Sequence, residues 1–212
     1  MTMEPEPAVG ALAGVWDAAA LRPVREINEE LIDRLCLAAA GPGAGEDPAS
    51  LLAVVRAEFL NAPAAARRRA ASCPYLLLDA GFGEPERWPS PAGVRETAPP
   101  LARGPAAIDC GVELARRALL LGWHLARSNR LAARVALGMS VACAQRIGAM
   151  RLGELEALAE ADPGRVRLRW EGHVGLWRDL LRAALAGQPA TLAGLQMRGL
   201  QLLAADAGLV LA

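Results

Sequence analysis

Apolar residues return at helical spacing in stretch after stretch of this chain and almost nowhere at strand spacing, and this periodicity is the strongest constraint on its fold. Val24, Ile27, Leu31 and Leu35 recur at i, i+3, i+7 and i+11, which lines one face of a helix. Pro23 suits the first turn of that helix, and Gly41-Pro42-Gly43 stops it. The opposite face carries Arg25, Glu26, Glu29, Glu30, Asp33 and Arg34 and reads as solvated. Asp47-Pro48 opens a second helix with Leu52, Val55 and Phe59 on one side. Further along, the same spacing appears in Leu114, Ala118, Leu121 and Leu125, and in Leu152, Leu155, Leu158 and Ala159. It returns in Val174, Trp177, Leu180, Leu181 and Leu185, and in Leu192, Leu195, Gly199 and Leu202. Much of the 53% apolar content is Ala and Leu, and aromatics reach only 4%, a balance that favours helices over sheets. The expected fold is an all-α helical bundle. The one segment with period-2 alternation, Arg165-Val166-Arg167-Leu168-Arg169-Trp170, predicts one short strand or hairpin near residues 165–170.

Punctuation divides the chain. Residues 1–21, rich in Ala, Gly and Pro, read as a flexible N-terminus, 22–83 as an acidic helical region and 84–106 as a proline-rich connection. Residues 107–212 read as a basic helical region. Formal net charge is zero, so overall electrostatics points to no anionic partner. The halves differ: residues 1–100 hold 9 Arg against 14 Asp and Glu, and residues 101–212 hold 14 Arg against 9. That −5/+5 split points weakly to an acidic or nucleic-acid partner for the second half. The run Arg67-Arg68-Arg69 spreads around a helix instead of sharing a face, and reads as solvated surface. The apolar stretch from Cys73 to Phe82 fits a buried loop, a helical turn or a strand.

No pattern for catalysis is present. His124 and His173 are the only histidines and neither has a second ligand at short spacing. Cys36, Cys73, Cys110 and Cys143 lie more than thirty residues apart, so no metal-ligand spacing occurs and no cofactor or metal is expected. Gly81-Phe82-Gly83 precedes a proline and lacks the context of a phosphate loop. Glu156 and Glu160 read as solvated surface. The acidic, proline-broken start and the short apolar runs predict a cytoplasmic protein with no membrane span and reduced cysteines.

The segment with functional content is Leu131 to Met150. Leu137-Gly138-Met139-Ser140 sets a glycine between apolar residues immediately before a capped helix, as the turn of a helix-turn-helix does. Arg134 departs from that pattern, standing four before the glycine where a small residue usually lies, and an ordinary helical hairpin fits this motif slightly better. Candidate phosphate contacts flanking the turn are Arg127, Arg130, Arg134, Arg146 and Arg151. Candidate protein-interface residues are Leu119, Leu120, Trp123, Trp170 and Trp177, because the leucines Leu119 to Leu121 point in three directions from one helix and tryptophans serve as interface anchors.

From about Leu119 to Ala205 the order of these pieces resembles the FlhD family, the D subunit of the flagellar master transcriptional activator. The pieces are Leu119-Leu120-Leu121, Ala136-Leu137-Gly138-Met139, Ile147-Gly148-Ala149-Met150, Leu155-Glu156-Ala157-Leu158-Ala159-Glu160, Arg167-Leu168-Arg169-Trp170-Glu171 and Met197-Arg198-Gly199-Leu200. The resemblance implies an all-α fold, a homodimer or hetero-oligomer with a second protein, and a transcriptional role with DNA as partner. It leaves residues 1–105 without a role. A second expectation, from a different class, is a helical adaptor of a secretion or flagellar apparatus that binds protein and no nucleic acid.

Overall fold

The computed structural model describes residues 21–42, 44, 47–89 and 110–206. Residues 1–20 of the expected flexible N-terminus and residues 90–106 of the proline-rich connection lie outside these, and Leu21, the last residue of the former, is buried at the start of α1. The described chain is all-α, as the periodicity predicts. In order it forms α1 (Arg22–Ala40), the short helices α2 (Leu51–Val54) and α3 (Arg56–Leu60), and α4 (Ala64–Ala71). After β1 (Leu78–Asp79) and a 3-10 turn at Pro85–Arg87 come α5 (Gly111–Ser128), α6 (Arg130–Leu137), α7 (Val141–Ala149) and α8 (Leu152–Ala161). A second 3-10 turn at Pro163–Arg165, β2 (Arg167–Leu168), α9 (Val174–Ala186) and α10 (Pro189–Asp206) complete it. No described helix is long and apolar enough to cross a membrane.

The apolar stripes become one core that does not divide at the proline-rich connection. Val24, Leu31 and Leu35 of α1 join Leu114 and Leu119 of α5, and Trp177 and Leu181 of α9 in a single cluster. Helix α5 packs on α6, α7 and α8 and also on α1, while α9 packs on α3 and α4 as well as α10. Polar ties cross the same boundary. The Arg69 Nε–H donates to the Ala184 carbonyl near the C-terminus of α9, and Arg182 donates to the buried Glu58 carboxylate at 2.9 Å. Arg67 meets Asp33 at 3.0 Å, so the triple-arginine run diverges around α4 as its spacing predicts.

Burial of Leu119 and Leu121 corrects the expectation drawn from them. Leu119 is 1% and Leu121 7% exposed, and Leu120 is half-buried. The helices around α5 cover the Leu119 and Leu121 directions and leave Leu120 partly accessible. Leu119 is therefore core and is withdrawn as an interface residue.

The stretch whose periodicity left three readings open resolves as an extended, fully internal segment. Leu76, Leu77, Leu78, Ala80 and Phe82 are all buried, and their main-chain groups need internal partners. Asn28, the fully buried polar residue of α1, accepts from the Leu77 N–H at 2.8 Å and donates to the Ala71 and Tyr75 carbonyls. The Leu76 N–H donates to Ala136 of α6, and the Ser140 N–H donates to Phe82. On the remaining side β2 pairs antiparallel with β1, Leu78 opposite Leu168 and Asp79 opposite Arg167. The predicted strand near 165–170 thus exists, and it is two residues long with a partner ninety positions upstream.

The cysteines are free thiols, with Cys73, Cys110 and Cys143 buried and Cys36 half-buried. Burial pushes the Cys73 thiol up to about 12 and raises Cys143 also. The Cys36 thiol is raised by partial burial and pulled back by Arg67. Because reaction requires thiolate and access, iodoacetamide on the native chain is expected to label Cys36 first. Peptide mapping should find Cys73, Cys110 and Cys143 modified only after denaturation.

Candidate nucleic-acid interface

Helices α6 and α7 with the turn between them form a helix-turn-helix unit from local causes. Asn129 caps α6, its side chain accepting from the Ala132 N–H at 2.9 Å. Gly138 ends α6 at φ 64°, ψ 29°, and its N–H returns to the Ala133 carbonyl. Only glycine adopts this left-handed backbone without strain. An added Cβ would also lie 2.6 Å from Leu203 of α10, which packs directly on the turn. Ser140 then caps α7, accepting from the Cys143 N–H at 3.1 Å. Ala133 and Leu137 on α6, Met139 in the turn, and Ala144 and Ile147 on α7 are all buried. Two helices leaving such an elbow share one apolar interior and leave the outer face of the second free.

That outer face carries Val141, Ala142, Gln145 and Ala149, all exposed. It bears no charge, and its basic surroundings come from neighbours. Arg127, Arg130 and Arg151 are exposed and Arg134 is half-buried. Arg127 lies 4.8 Å from the Trp123 ring centre and donates to the Gly148 carbonyl, holding the end of α7. Trp123 donates its indole N–H to the Met150 carbonyl at 2.9 Å and is half-buried. Arg151 stands at the start of α8, where its main-chain N–H is accepted by Glu154 at 2.7 Å.

Arg146 does not stand free. Its Nη1 donates to the Pro85 and Trp88 carbonyls of the 3-10 turn beneath α7, so it fastens α7 to the scaffold and is withdrawn as a phosphate contact. Trp177 is withdrawn as an interface anchor: it is 1% exposed, with its indole N–H donating to the Arg169 carbonyl. Trp170 is half-buried at φ 53°, edge-on to Tyr75, with its indole N–H 3.4 Å from Asp206. Leu120, Trp123 and Trp170 thus keep some accessible surface.

Sequence reasoning missed the buried arginines Arg87, Arg165 and Arg169, which are 8%, 6% and 7% exposed. Alternation from Arg165 to Trp170 suggests one wet face, yet Val166 and Leu168 are buried as well. Arg169 occupies the interior because carbonyls surround it. Its Nε donates to Leu76, and its Nη2 to Leu78, to Leu137 at the end of α6 and to Asp79. Burial lowers its pKa, an effect that Asp79 opposes. No sequence signal marks these acceptors, since main-chain carbonyls have no residue type.

His124 and His173 are exposed, Glu160 pairs with Arg116 at 3.1 Å, and the described residues contain no cluster of His, Cys, Asp and Glu able to hold a metal. No protein-family model matches the sequence, and neither a curated protein nor a solved structure matches it.

Proposed function

We propose that this chain is a transcription regulator that docks α7 in the major groove of DNA, acting as a dimer or with a partner subunit. The carrying observation is the capped elbow at Gly138, whose second helix keeps one face exposed. The chemistry of that face suits base edges. An amide such as that of Gln145 pairs bidentately with adenine, and small apolar side chains such as Val141 and Ala142 contact thymine methyls. Arg127, Arg130, Arg134 and Arg151 supply phosphate contacts. The order of motifs shared with the FlhD family supports the same reading.

Four phosphate contacts set a slope of log affinity on log salt of about −3.6 for each subunit bound. Fluorescence anisotropy on promoter fragments of the host genome, between low and physiological salt, is expected to show that dependence. Replacing Arg130 and Arg134 together by Ala should flatten the slope by about 2, each position carrying about 1. Binding that ignores salt, or its absence with and without a co-purified partner, would sink this reading.

One observation favours a second reading. The exposed face of α7 is uncharged, and Leu131, Val141 and Leu152 are exposed near it in sequence at 44%, 54% and 46%. Such a face also suits a helix of another protein, as in an adaptor of a secretion or flagellar apparatus. Affinity capture from the host separates the two: structural subunits support the adaptor, promoter DNA the regulator.

A further inference from the structure

Three arginines converge on the 3-10 turn Pro85–Arg87 behind α7, and two of them are buried without enough partners. The Arg87 Nη1 and Nη2 and the Arg165 Nε are shielded from solvent and have no hydrogen-bond partner. The Arg165 Nη2 donates to the Arg87 carbonyl, which brings the two residues together. Its guanidinium lies 4.5 Å from the Trp88 ring centre, and Trp88 in turn stacks on Phe82. Arg87 presses on Gly81, where an added Cβ would stand 2.7 Å from Nη1. The nearest carboxylate, Glu84, is 3.6 Å from Arg87 Nη1, beyond hydrogen-bond reach, and half-exposed. The third arginine is Arg146, bound to the carbonyls on either side of this turn.

Like charges placed together out of water are costly unless an anion joins them. The strain registers on Arg165, whose pKa is pushed down to about 10, first by burial and then by Arg87, with Asp162 and Glu84 opposing. Arg87 reaches only the partly exposed Glu84, at 3.6 Å, and Arg165 makes no ion pair within 4.0 Å among the described residues.

We propose that Arg87 and Arg165 form a binding site for a small phosphoryl dianion, free phosphate or the terminal group of a phosphomonoester. A phosphoryl group offers three terminal oxygens to the three orphan nitrogens, and guanidinium forks match it. A carboxylate, with two oxygens and one charge, leaves one nitrogen and one cation unserved. A nucleic-acid phosphodiester is flanked by sugars on both sides and does not reach groups more than nine-tenths buried. Loading the site stiffens the turn to which Arg146 fastens α7, so the ligand acts on that helix from behind. This inference stands whether α7 meets DNA or protein.

Thermal unfolding of the full chain tests it. Ten millimolar inorganic phosphate is expected to raise Tm by about 3 °C or more over sodium chloride of equal ionic strength, the size that millimolar affinity gives a chain of this length. Glycerol phosphate distinguishes the sources: a larger shift than free phosphate assigns the ester, an equal or smaller one the free anion. R165Q and R87Q should each abolish the shift. If either variant fails to fold, the Arg165 side-chain Nε–H resonance of the unaltered protein provides the readout, and phosphate should move it. Equal melting in phosphate and chloride, an equal rise with acetate, a shift that survives both substitutions, or an unmoved Nε–H resonance overturns the proposal.

Discussion

Replacing Arg169 by Met is expected to lower stability by about 3–5 kcal/mol, because it strands buried acceptors on the internal segment and at the end of α6. The Leu76, Leu78 and Leu137 carbonyls lose the Arg169 donor, and the Asp79 carboxylate keeps only the Gly81 and Phe82 N–H groups. Met fills much of the volume, so the loss reports hydrogen bonds more than packing. In a chain of this size the midpoint should fall by about 10 °C, at roughly 2–4 °C per kcal/mol. Lysine keeps the charge but cannot fork, and R169K is expected to recover less than half of the loss. Urea unfolding of the three proteins measures this. A loss under about 1 kcal/mol for R169M would mean that water or relaxed side chains satisfy those carbonyls.

The second large effect is expected at Trp177. It leads the fully buried side chains in volume, and its indole N–H holds the Arg169 carbonyl at 3.0 Å. Trp177→Ala removes that bond and leaves a cavity, together worth about 3–5 kcal/mol. W177F keeps most of the volume and should cost about 1–2 kcal/mol, the share of one buried hydrogen bond plus a small void. The double substitution of Trp177 and Arg169 should cost less than the sum of the singles, because residues in one network are not independent. Strict additivity would show that the two act separately.

These two residues also mark where sequence reading succeeds and where it stops. Trp177 lies on a helical stripe with Leu180 and Leu181 that fits the core, and its reading as an interface anchor is the one that burial overturns. The same periodicity finds α1, α5, α8 and α10, and the glycine–serine pair finds the turn between α6 and α7. What it misreads is the surroundings of each stripe. Three leucines on α5 look like too much apolar surface for a monomer only while α1, which covers one side, is treated as a separate region. Arg146 looks like a free cation on a docking helix until the 3-10 turn from sixty positions upstream supplies two carbonyls beneath it. Arg169 has no helical or metal-binding signature because its partners are main-chain oxygens. Local signals specify elements. Non-local partners specify which cations and which apolar faces remain free.

The internal segment between Cys73 and Phe82 has a consequence for how the chain comes off the ribosome. Its main-chain partners arrive late: Ala136 and Ser140 more than fifty residues on, and Arg169 about ninety residues on. Until they emerge, the first half holds an apolar strand with open edges and helices lacking the α9 cover. Long-range closures of this kind slow folding and prolong exposure to aggregation. The nascent chain is therefore a client for holding chaperones until α9 is synthesised, and a stop codon at the proline-rich connection leaves a fragment for the proteases instead of an autonomous N-terminal unit. Genetic dissection of this protein by halves will report loss of folding, whichever half carries the activity.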